Sequence, residues 1–124
     1  MFKRVIIDTS AILFGFKFKK NVFEIVEERF HDAQIVVSRG VIRELTGISS
    51  NKGKNAAIAR FALLTLKSKK LEVHNININV DAWVLKSARI SDIVITNDTE
   101  LSNALRSKGI TVLKMSRNGL LKLF

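Results

Sequence analysis

Two acidic side chains follow apolar segments that have the character of buried strands. Asp8 comes directly after "RVII", and Asp98 comes two residues after "DIVIT". In open parallel sheets, functional sites form in the crevice beyond the carboxyl ends of the strands. We therefore expect the two carboxylates to face one crevice, where they would repel each other and attract a divalent cation.

Three other acids, Glu44, Asp81 and Glu100, are further candidates for this crevice. Taken alone, Glu44 has the pattern of an exposed helical residue, and Asp81 that of an acid complementing a helix dipole. Asn97 and Glu100 have the spacing of a capping box, which would leave Asp98 free for chemistry. The remaining acids have the pattern of solvated, turn or loop positions: Glu24, Glu27, Glu28, Asp32, Glu72 and Asp92.

The candidate ligands carry only oxygen donors, which suit Mg²⁺ or Mn²⁺ better than zinc. The chain has no cysteine, and His31 and His74 do not have metal-ligand spacing. The hydroxyls of Thr9, Ser10 and Thr96 are placed to orient water at such an ion. An acid cluster in a strongly basic protein suggests hydrolysis of a phosphodiester, with basic groups holding the backbone.

The net charge indicates a polyanionic partner. Lysine and arginine number 21 against 11 acids, a formal charge of +10, which favours nucleic acid over a membrane surface, although a solvated lysine-rich surface is the alternative. The segment "NKGK" (51–54) is the best candidate for a backbone contact. The basic clusters are Lys17, Lys19 and Lys20; Lys52 and Lys54; and Lys67, Lys69 and Lys70. No apolar run suggests a signal peptide or a membrane span, so we expect a cytoplasmic protein.

Alternating strand and helix patterns predict an α/β fold with a central, mostly parallel sheet covered on both faces. We expect one domain over residues 1–124, with Ser38 and Asn79 as helix N-caps and Gly47 as a helix stop. Asp8 would be followed by a short turn, and the tail from residue 116 carries no clear pattern. Predicted strands cover 2–7, 33–38, 71–75, 92–96 and 110–115, and predicted helices cover 21–30, 38–47, 55–67, 79–89 and 97–109.

The ordered acids and their flanking segments resemble the PIN domain, the family that includes VapC toxins and rRNA-processing nucleases. "IIDTSAIL" is similar to its first motif, "VIREL" to the helix that carries its glutamate, and "DAWVLKSA" to its Asp-Ala segment. "IVITNDTEL" resembles its final motif, and "KGITVLKM" its closing strand. The basic segment "NKGKNAAIARFAL" resembles the archaeal branch near the rRNA-processing members.

This resemblance implies a Rossmann-like α/β/α sandwich and an endoribonuclease that depends on one or two Mg²⁺ or Mn²⁺ ions. RNA would be the substrate, and a homodimer or an antitoxin would be partners. Asp8 and Asp98 would be the most direct ligands. The resemblance thus implies the ligands Asp8, Glu44, Asp81 and Asp98. With the hydroxyls and basic clusters described above, the candidate set also includes the supporting residues Thr9, Ser10, Thr96, Asn97 and Glu100 and the RNA contacts Lys17, Lys19, Lys52 and Lys54.

One position departs from the resemblance. Members of the closest branch often carry an acid just before the Asp-Ala pair, and here that position is Val80. This departure suggests a weaker metal site or Glu100 as a different fourth ligand. It also keeps open a catalytically weak PIN-like module that binds RNA or protein. A response-regulator-like receiver fits poorly, because Lys114 falls within a strand and the tandem early acids are absent.

Overall fold

The computed structural model describes residues 2–124, in which six strands form one sheet and six helices flank it. The strands are β1 (Arg4–Ile7), β2 (Gln34–Ser38), β3 (Glu72–His74), β4 (Asp92–Ile95), β5 (Thr111–Met115) and β6 (Leu121–Leu123). The helices are α1 (Thr9–Lys17), α2 (Val22–Arg29), α3 (Arg39–Ser49), α4 (Lys54–Ser68), α5 (Val80–Ser87) and α6 (Thr99–Ser107). Within these residues, no helix has the length and apolar character that a membrane crossing requires.

The strand order is β3-β2-β1-β4-β5-β6, with every neighbouring pair parallel except β5 and β6. The chain leaves β1 towards β2 and β3 on one side and later returns to place β4 on the other side of β1. The order therefore reverses between β1 and β4, and a crevice opens there at the carboxyl edge of the sheet. The predicted mostly parallel α/β fold is confirmed.

The central strands are covered on both faces, as their continuous apolar runs predicted. Val5, Ile6 and Ile7 of β1 are fully buried, and all four residues of β4 are buried. Trp83 of α5 lies in the same core and is almost fully buried. Burial of these large side chains supplies most of the driving force for folding.

Several predicted boundaries are wrong. Residues 9–17 form the helix α1, where a short turn was expected after Asp8. Gly47 does not stop α3, which continues to Ser49, because a glycine of ordinary helical conformation costs only about 1 kcal/mol. β4 begins at Asp92, where the predicted strand 92–96 also begins, so only the separate interpretation of this acid as a loop residue is wrong. The tail adds the antiparallel strand β6. The predicted N-caps Ser38 and Asn79 are confirmed, since their side chains accept from Val41 N and Ala82 N.

Candidate active site

Asp8 and the segment 96–98 meet at the reversal point of the sheet. Asp8 follows β1 directly, and its amide donates to the carbonyl of Ile95 on β4 at 3.0 Å. Thr96 follows β4 in the same way, with its amide donating to the carbonyl of Leu113 on β5 at 3.0 Å. The parallel register of β1 and β4 therefore brings the two predicted strand ends side by side.

The carboxylate of Asp8 is held in one orientation by two hydroxyls. The Ser10 and Thr96 hydroxyls donate to the same Asp8 oxygen, Oδ2, at 2.7 and 2.8 Å. Each hydroxyl in turn accepts from a backbone amide: Ser10 Oγ from Asn97 at 3.0 Å, and Thr96 Oγ1 from Asp98 at 3.1 Å. Because both hydroxyl protons are committed to Oδ2, the other oxygen of this buried carboxylate, Oδ1, is left for a ligand.

Asp98 caps α6, which corrects the expectation that Asn97 and Glu100 form the cap. Oδ1 of Asp98 accepts from the amide of Leu101 at 3.0 Å. Asn97 is used elsewhere: its amide side chain donates to the carbonyl of Met115 and accepts from the amide of the same residue. Sequence spacing misassigned the cap because either residue fits it locally, and only the adjacent β5 gives Asn97 its partner. One oxygen of Asp98, Oδ2, still remains outside the cap.

Glu44 is linked to the β1 end through Thr9. The Thr9 hydroxyl, on a buried residue at the start of α1, donates to Glu44 Oε1 at 2.7 Å. Helix α3 follows β2 directly, and β2 is the neighbour of β1. Glu44 thereby lies over the same edge of the sheet although its side chain is largely exposed.

The pKa of Asp81 indicates that several acidic side chains lie near it. Partial desolvation raises the pKa of Asp81 above its ordinary value, and the negative charges of Asp8, Asp98, Glu44 and Glu100 raise it further. Each of these charges must lie close enough to disfavour a further negative charge. Asp81 reaches this region because α5 begins at the carboxyl edge of the sheet, a few residues after β3 ends.

The donor set suits a hard divalent cation, and it is open rather than closed around one. Among residues 2–124, no group of three acidic or histidine side chains is gathered tightly enough to hold a metal ion. Mg²⁺ characteristically binds through one or two carboxylates and keeps waters or substrate phosphates as its other ligands. The carboxylate oxygens Asp8 Oδ1 and Asp98 Oδ2, together with the mutual repulsion felt at Asp81, fit that mode of binding.

Val80, the position that departs from the resemblance, is part of the core. It is 4% exposed at the start of α5, and an added Cβ on Gly40 would meet its Cγ2 at 3.2 Å. Burying an isolated carboxylate here would be costly. The local packing therefore accounts for an apolar residue at this position.

The four predicted RNA-contact lysines lie on one side of this edge. Lys17 and Lys52 line a cavity that also borders Ser10 and Asn97, and Lys19 and Lys54 line a neighbouring cavity. Two asparagines also line the first cavity, Asn51 and Asn55. Asn51 belongs to the segment "NKGK" that the sequence indicated, whereas Asn55 was missed because its only signal was its position directly after that segment.

The two histidines contact residues outside the predicted set of metal ligands. His31 is exposed beside Asp32, with 3.4 Å between Nε2 and Oδ2. His74 Nδ1 accepts from the indole of Trp83 at 3.2 Å, and its Nε2 lies 2.6 Å from a carboxylate oxygen of Glu72. His74 therefore satisfies a core tryptophan.

Comparisons with known proteins bear on the family and the fold of this chain. A family model described as a PIN-like domain matches residues 5–118. The structure of the PIN domain endonuclease Utp24 is similar to this one with a TM-score of 0.73 and 23% sequence identity, covering 98% of this chain and 95% of that one. A domain of a functionally unknown protein from Methanocaldococcus jannaschii DSM 2661 is similar with a TM-score of 0.68 and 22% identity, covering 92% and 91% of the two chains. No curated protein matches the sequence. The two structural similarities establish the fold, and the family match over residues 5–118 establishes that this chain belongs to the PIN-like domain family.

Proposed function

We propose that this protein is an endoribonuclease that depends on Mg²⁺ or Mn²⁺. The observation that supports the proposal is that Thr96 joins Asp8 to the backbone of Asp98 at the reversal point of the sheet, while Thr9 binds Glu44 beside it. Besides partial desolvation, the negative charges of Asp8, Asp98 and Glu44 raise the pKa of Asp81. Family membership and the similarity to a PIN domain endonuclease support nuclease chemistry. The net charge of +10 supports a nucleic-acid substrate.

In this proposal, Asp8 and Asp98 are the direct metal ligands, and Glu44 and Asp81 act as further ligands or through water. Glu100 is the alternative fourth ligand. A divalent ion at this site would stabilise negative charge on the phosphate and activate water for attack. Ser10 and Thr96 keep Asp8 Oδ1 turned outwards by holding Oδ2.

If Asp81 acts through water, it would accept the proton of the attacking water, since partial desolvation and the charges of the neighbouring acids raise its pKa above the ordinary value. Attack of the water oxygen on phosphorus would break the bond to the leaving oxygen and give two shorter RNA strands. Lys17, Lys19, Lys52 and Lys54 would hold the phosphates on either side of that bond.

The test is cleavage of an end-labelled structured RNA with Mn²⁺, with Mg²⁺ and with EDTA. Asp8→Asn and Asp98→Asn should each lower the rate at least about 100-fold, since a metal ion contributes several kcal/mol to such a transition state. Asparagine caps helices as well as aspartate does, so Asp98→Asn should leave α6 intact. Glu28→Gln, at an exposed acid on α2, is the control and should keep full activity.

A second readout separates the enzyme from a catalytically weak PIN-like binding module. Mn²⁺ should raise the melting temperature of the wild-type protein and raise that of Asp8→Asn much less. Metal-independent melting together with no cleavage would overturn the proposal and favour the binding module.

Toxin and rRNA-processing roles both fit a PIN ribonuclease, and an adjacent antitoxin gene would favour the first. A homodimer and a cytoplasmic location remain predictions.

A further inference from the structure

The segment 101–124 carries positive charge that no acid in the same segment balances. It contains five lysine and arginine side chains and no acidic one. It forms most of α6 together with β5 and β6, at the edge of the sheet opposite to β3. The proposed function uses none of these five side chains, so their charge has no role in the acid cluster or in its proposed RNA contacts.

Two of these lysines lie opposite each other on neighbouring strands. Lys114 of β5 is directly paired with Lys122 of β6 in the antiparallel register, and both residues are exposed. Directly opposite residues of an antiparallel pair point to the same face, where like charges destabilise the sheet. An anion bound between the two ammonium groups would relieve this repulsion.

Phe124 brings a third cation to the same face. Its amide donates to the carbonyl of Val112 at 3.1 Å, which puts Phe124 opposite Val112 and beside Lys114. The Lys114 Nζ and the Arg106 Cζ lie 5.4 and 5.7 Å from the centroid of its ring. Arg106 also donates to the carbonyl of Phe124 at 3.1 Å and to Asn103 Oδ1 at 2.6 Å. These bonds hold the guanidinium next to the lysine pair.

We call Arg106, Lys114 and Lys122 the basic patch. Among residues 2–124, none of the three forms an ion pair. The one acid of α6, Glu100, lies in the first turn of the helix, whereas Arg106 lies in the last. Ammonium and guanidinium groups without a carboxylate partner are the donors that phosphate oxygens accept from most strongly.

The chemistry of the basic patch suits phosphates rather than bases. The ring of Phe124 already contacts two cations, and the side-chain oxygen of Asn103 already accepts from Arg106. The ring and the amide oxygen are therefore used in holding the cations in place. Cationic donors contact the backbone of a nucleic acid and carry no sequence information directly.

The strand β5 brings the basic patch near the acid cluster without making it part of that cluster. Lys114 precedes Met115, whose backbone is bonded to the side chain of Asn97. Only β4 separates β5 from β1, and neighbouring strands lie about 4.8 Å apart, so β5 runs roughly 10 Å from β1. A polynucleotide lying on the patch is therefore close enough to extend to Asp8.

We propose that the basic patch binds the phosphate backbone of RNA, outside the acid cluster and without regard to base sequence. The choice of RNA as the occupant rests on the proposed nuclease function, whereas the unbalanced charge of the patch does not. The patch then increases the affinity for the substrate as a whole and takes no part in breaking the bond.

Binding of labelled RNA in EDTA, measured by fluorescence anisotropy, tests the patch without requiring cleavage. Lys114→Gln/Lys122→Gln should weaken binding at least about tenfold in about 0.1 M salt. It should also reduce the slope of log affinity against log salt by about 1.4, because each phosphate contact on a single strand contributes about 0.7. Two RNAs of unrelated sequence should lose affinity equally, since phosphate contacts do not read bases.

Two control variants separate the position of the charge from its amount. Lys67→Gln/Lys70→Gln removes the same charge from exposed residues at the end of α4 and just beyond it. This variant should change the affinity and the salt slope much less. Lys114→Arg/Lys122→Arg keeps the charge on the patch and should bind RNA as the wild-type protein does.

Cleavage kinetics provide a second readout that differs from that of the acid cluster. Lys114→Gln/Lys122→Gln should raise KM and leave kcat unchanged, because the patch binds the substrate and the transition state equally well. Asp8→Asn should instead lower kcat. Patch-dependent RNA binding without any cleavage by the wild-type protein would support this inference while removing the proposed function.

An affinity and a salt slope of Lys114→Gln/Lys122→Gln equal to those of Lys67→Gln/Lys70→Gln would overturn the inference. Self-association of the patch variant with unchanged RNA affinity would also overturn it, because the lysines would then protect the edge strand β6 from pairing with another chain. Loss of binding to anionic lipid vesicles alone would overturn it in favour of a membrane surface. Metal-dependent cleavage with an unchanged KM would leave the proposed function standing and remove only this inference.

Discussion

At the scale of single residues, the acid cluster is arranged by hydroxyls as much as by carboxylates. Ser10 and Thr96 orient Asp8, and Thr9 orients Glu44. A short hydroxyl side chain can hold a carboxylate without competing for the metal as another charge would. Thr9 and Ser10, the two residues after Asp8, therefore hold two different acids: Ser10 holds Asp8 at the end of β1, and Thr9 holds Glu44 on α3.

Thr9→Val should lower the proposed cleavage activity roughly tenfold, the scale of effect expected when a ligand loses its supporting hydrogen bond. Valine keeps the shape of threonine but cannot donate to Glu44, so the carboxylate would lose its fixed orientation. Thr9→Ser, which retains the hydroxyl, is the control and should stay within about twofold of the wild-type rate. Equal activity of the valine variant and the wild-type protein would show that Glu44 needs no such support.

Asp81→Asn should raise the melting temperature at pH 7 when no metal is present. Because the pKa of Asp81 is raised in the folded state, its ionised form disfavours folding above that pKa. The difference from the wild-type protein should disappear as the pH falls towards the ordinary aspartate pKa of about 4. Solvent screens this largely exposed side chain, so the shift should be small.

Thermal melts of both proteins in EDTA from pH 4 to pH 8 measure this effect, and added Mn²⁺ tests its cause. If Asp81 belongs to the metal site, Mn²⁺ should stabilise the wild-type protein more than Asp81→Asn. A stability difference that does not change between pH 4 and pH 8 would contradict the assignment of charge repulsion at Asp81.

At the scale of secondary-structure elements, the helix α1 links the end of β1 to the elements around it. It contacts α2, α3, α4 and β5, and it has room to do so because Gly15 has no side chain. A Cβ on Gly15 would lie 2.9 Å from the carbonyl oxygen of Lys20. Local sequence did not indicate this helix, because Phe14, Phe16 and Phe18 alternate as residues of a strand do.

Gly15→Ala should therefore destabilise the protein by about 1–3 kcal/mol, the usual cost of overpacking. Gly47→Ala in α3 is the matched control, because an added Cβ there meets nothing within 4 Å. Alanine is the better helix former, so the control should be stabilised by up to about 1 kcal/mol. Chemical denaturation of both variants measures the free energies of unfolding, and effects of the same sign would contradict the proposed close packing.

At the scale of the whole molecule, the two edges of the sheet have different roles. The carboxyl edge carries the acid cluster, whereas at the amino edge Arg4 of β1 makes two hydrogen bonds to Asp92 of β4, at 3.1 and 2.7 Å. Desolvation alone would raise the pKa of Asp92, but the bonds from Arg4 and from the amide of Arg89 lower it overall. Asp92, which the sequence analysis interpreted as a solvated or loop residue, thus joins β4 to β1 through its ion pair with Arg4.

Asp92→Asn should lower stability at pH 7 by roughly 2 kcal/mol, less than for a fully buried pair because Arg4 reaches water. Since the pKa of Asp92 is lowered on folding, its contribution is complete above the unfolded pKa of about 4 and is lost as the pH falls through the folded value. The stability difference between the two proteins should therefore narrow below about pH 4. Denaturant titrations at pH 7 and pH 3 would measure it, and a constant difference would contradict the ion-pair explanation.

The sequence by itself determined the parallel α/β class and most of the elements, because continuous apolar runs and helix caps such as Ser38 and Asn79 are local signals. It also indicated Asp8 and Asp98, since a parallel strand that ends in an acid points that acid towards one edge. The burial of Val80 and the partner of Asn97 depend on elements far away in the chain, as does the helix α1.

Only the tertiary structure decided which of two neighbouring residues caps α6. It also decided which acids lie close enough to affect the pKa of Asp81. Asn97 and Asp98 both suit the N-cap position by residue type and spacing. Because the side chain of Asn97 bonds to the backbone of Met115 on β5, Asp98 is the residue that caps the helix. The convergence of Glu44 and Asp81 with the strand-end acids follows from the strand order, which places β4 beside β1 after a long crossover. Long-range hydrogen bonding and electrostatics act between segments that are remote in sequence, so no local pattern encodes them.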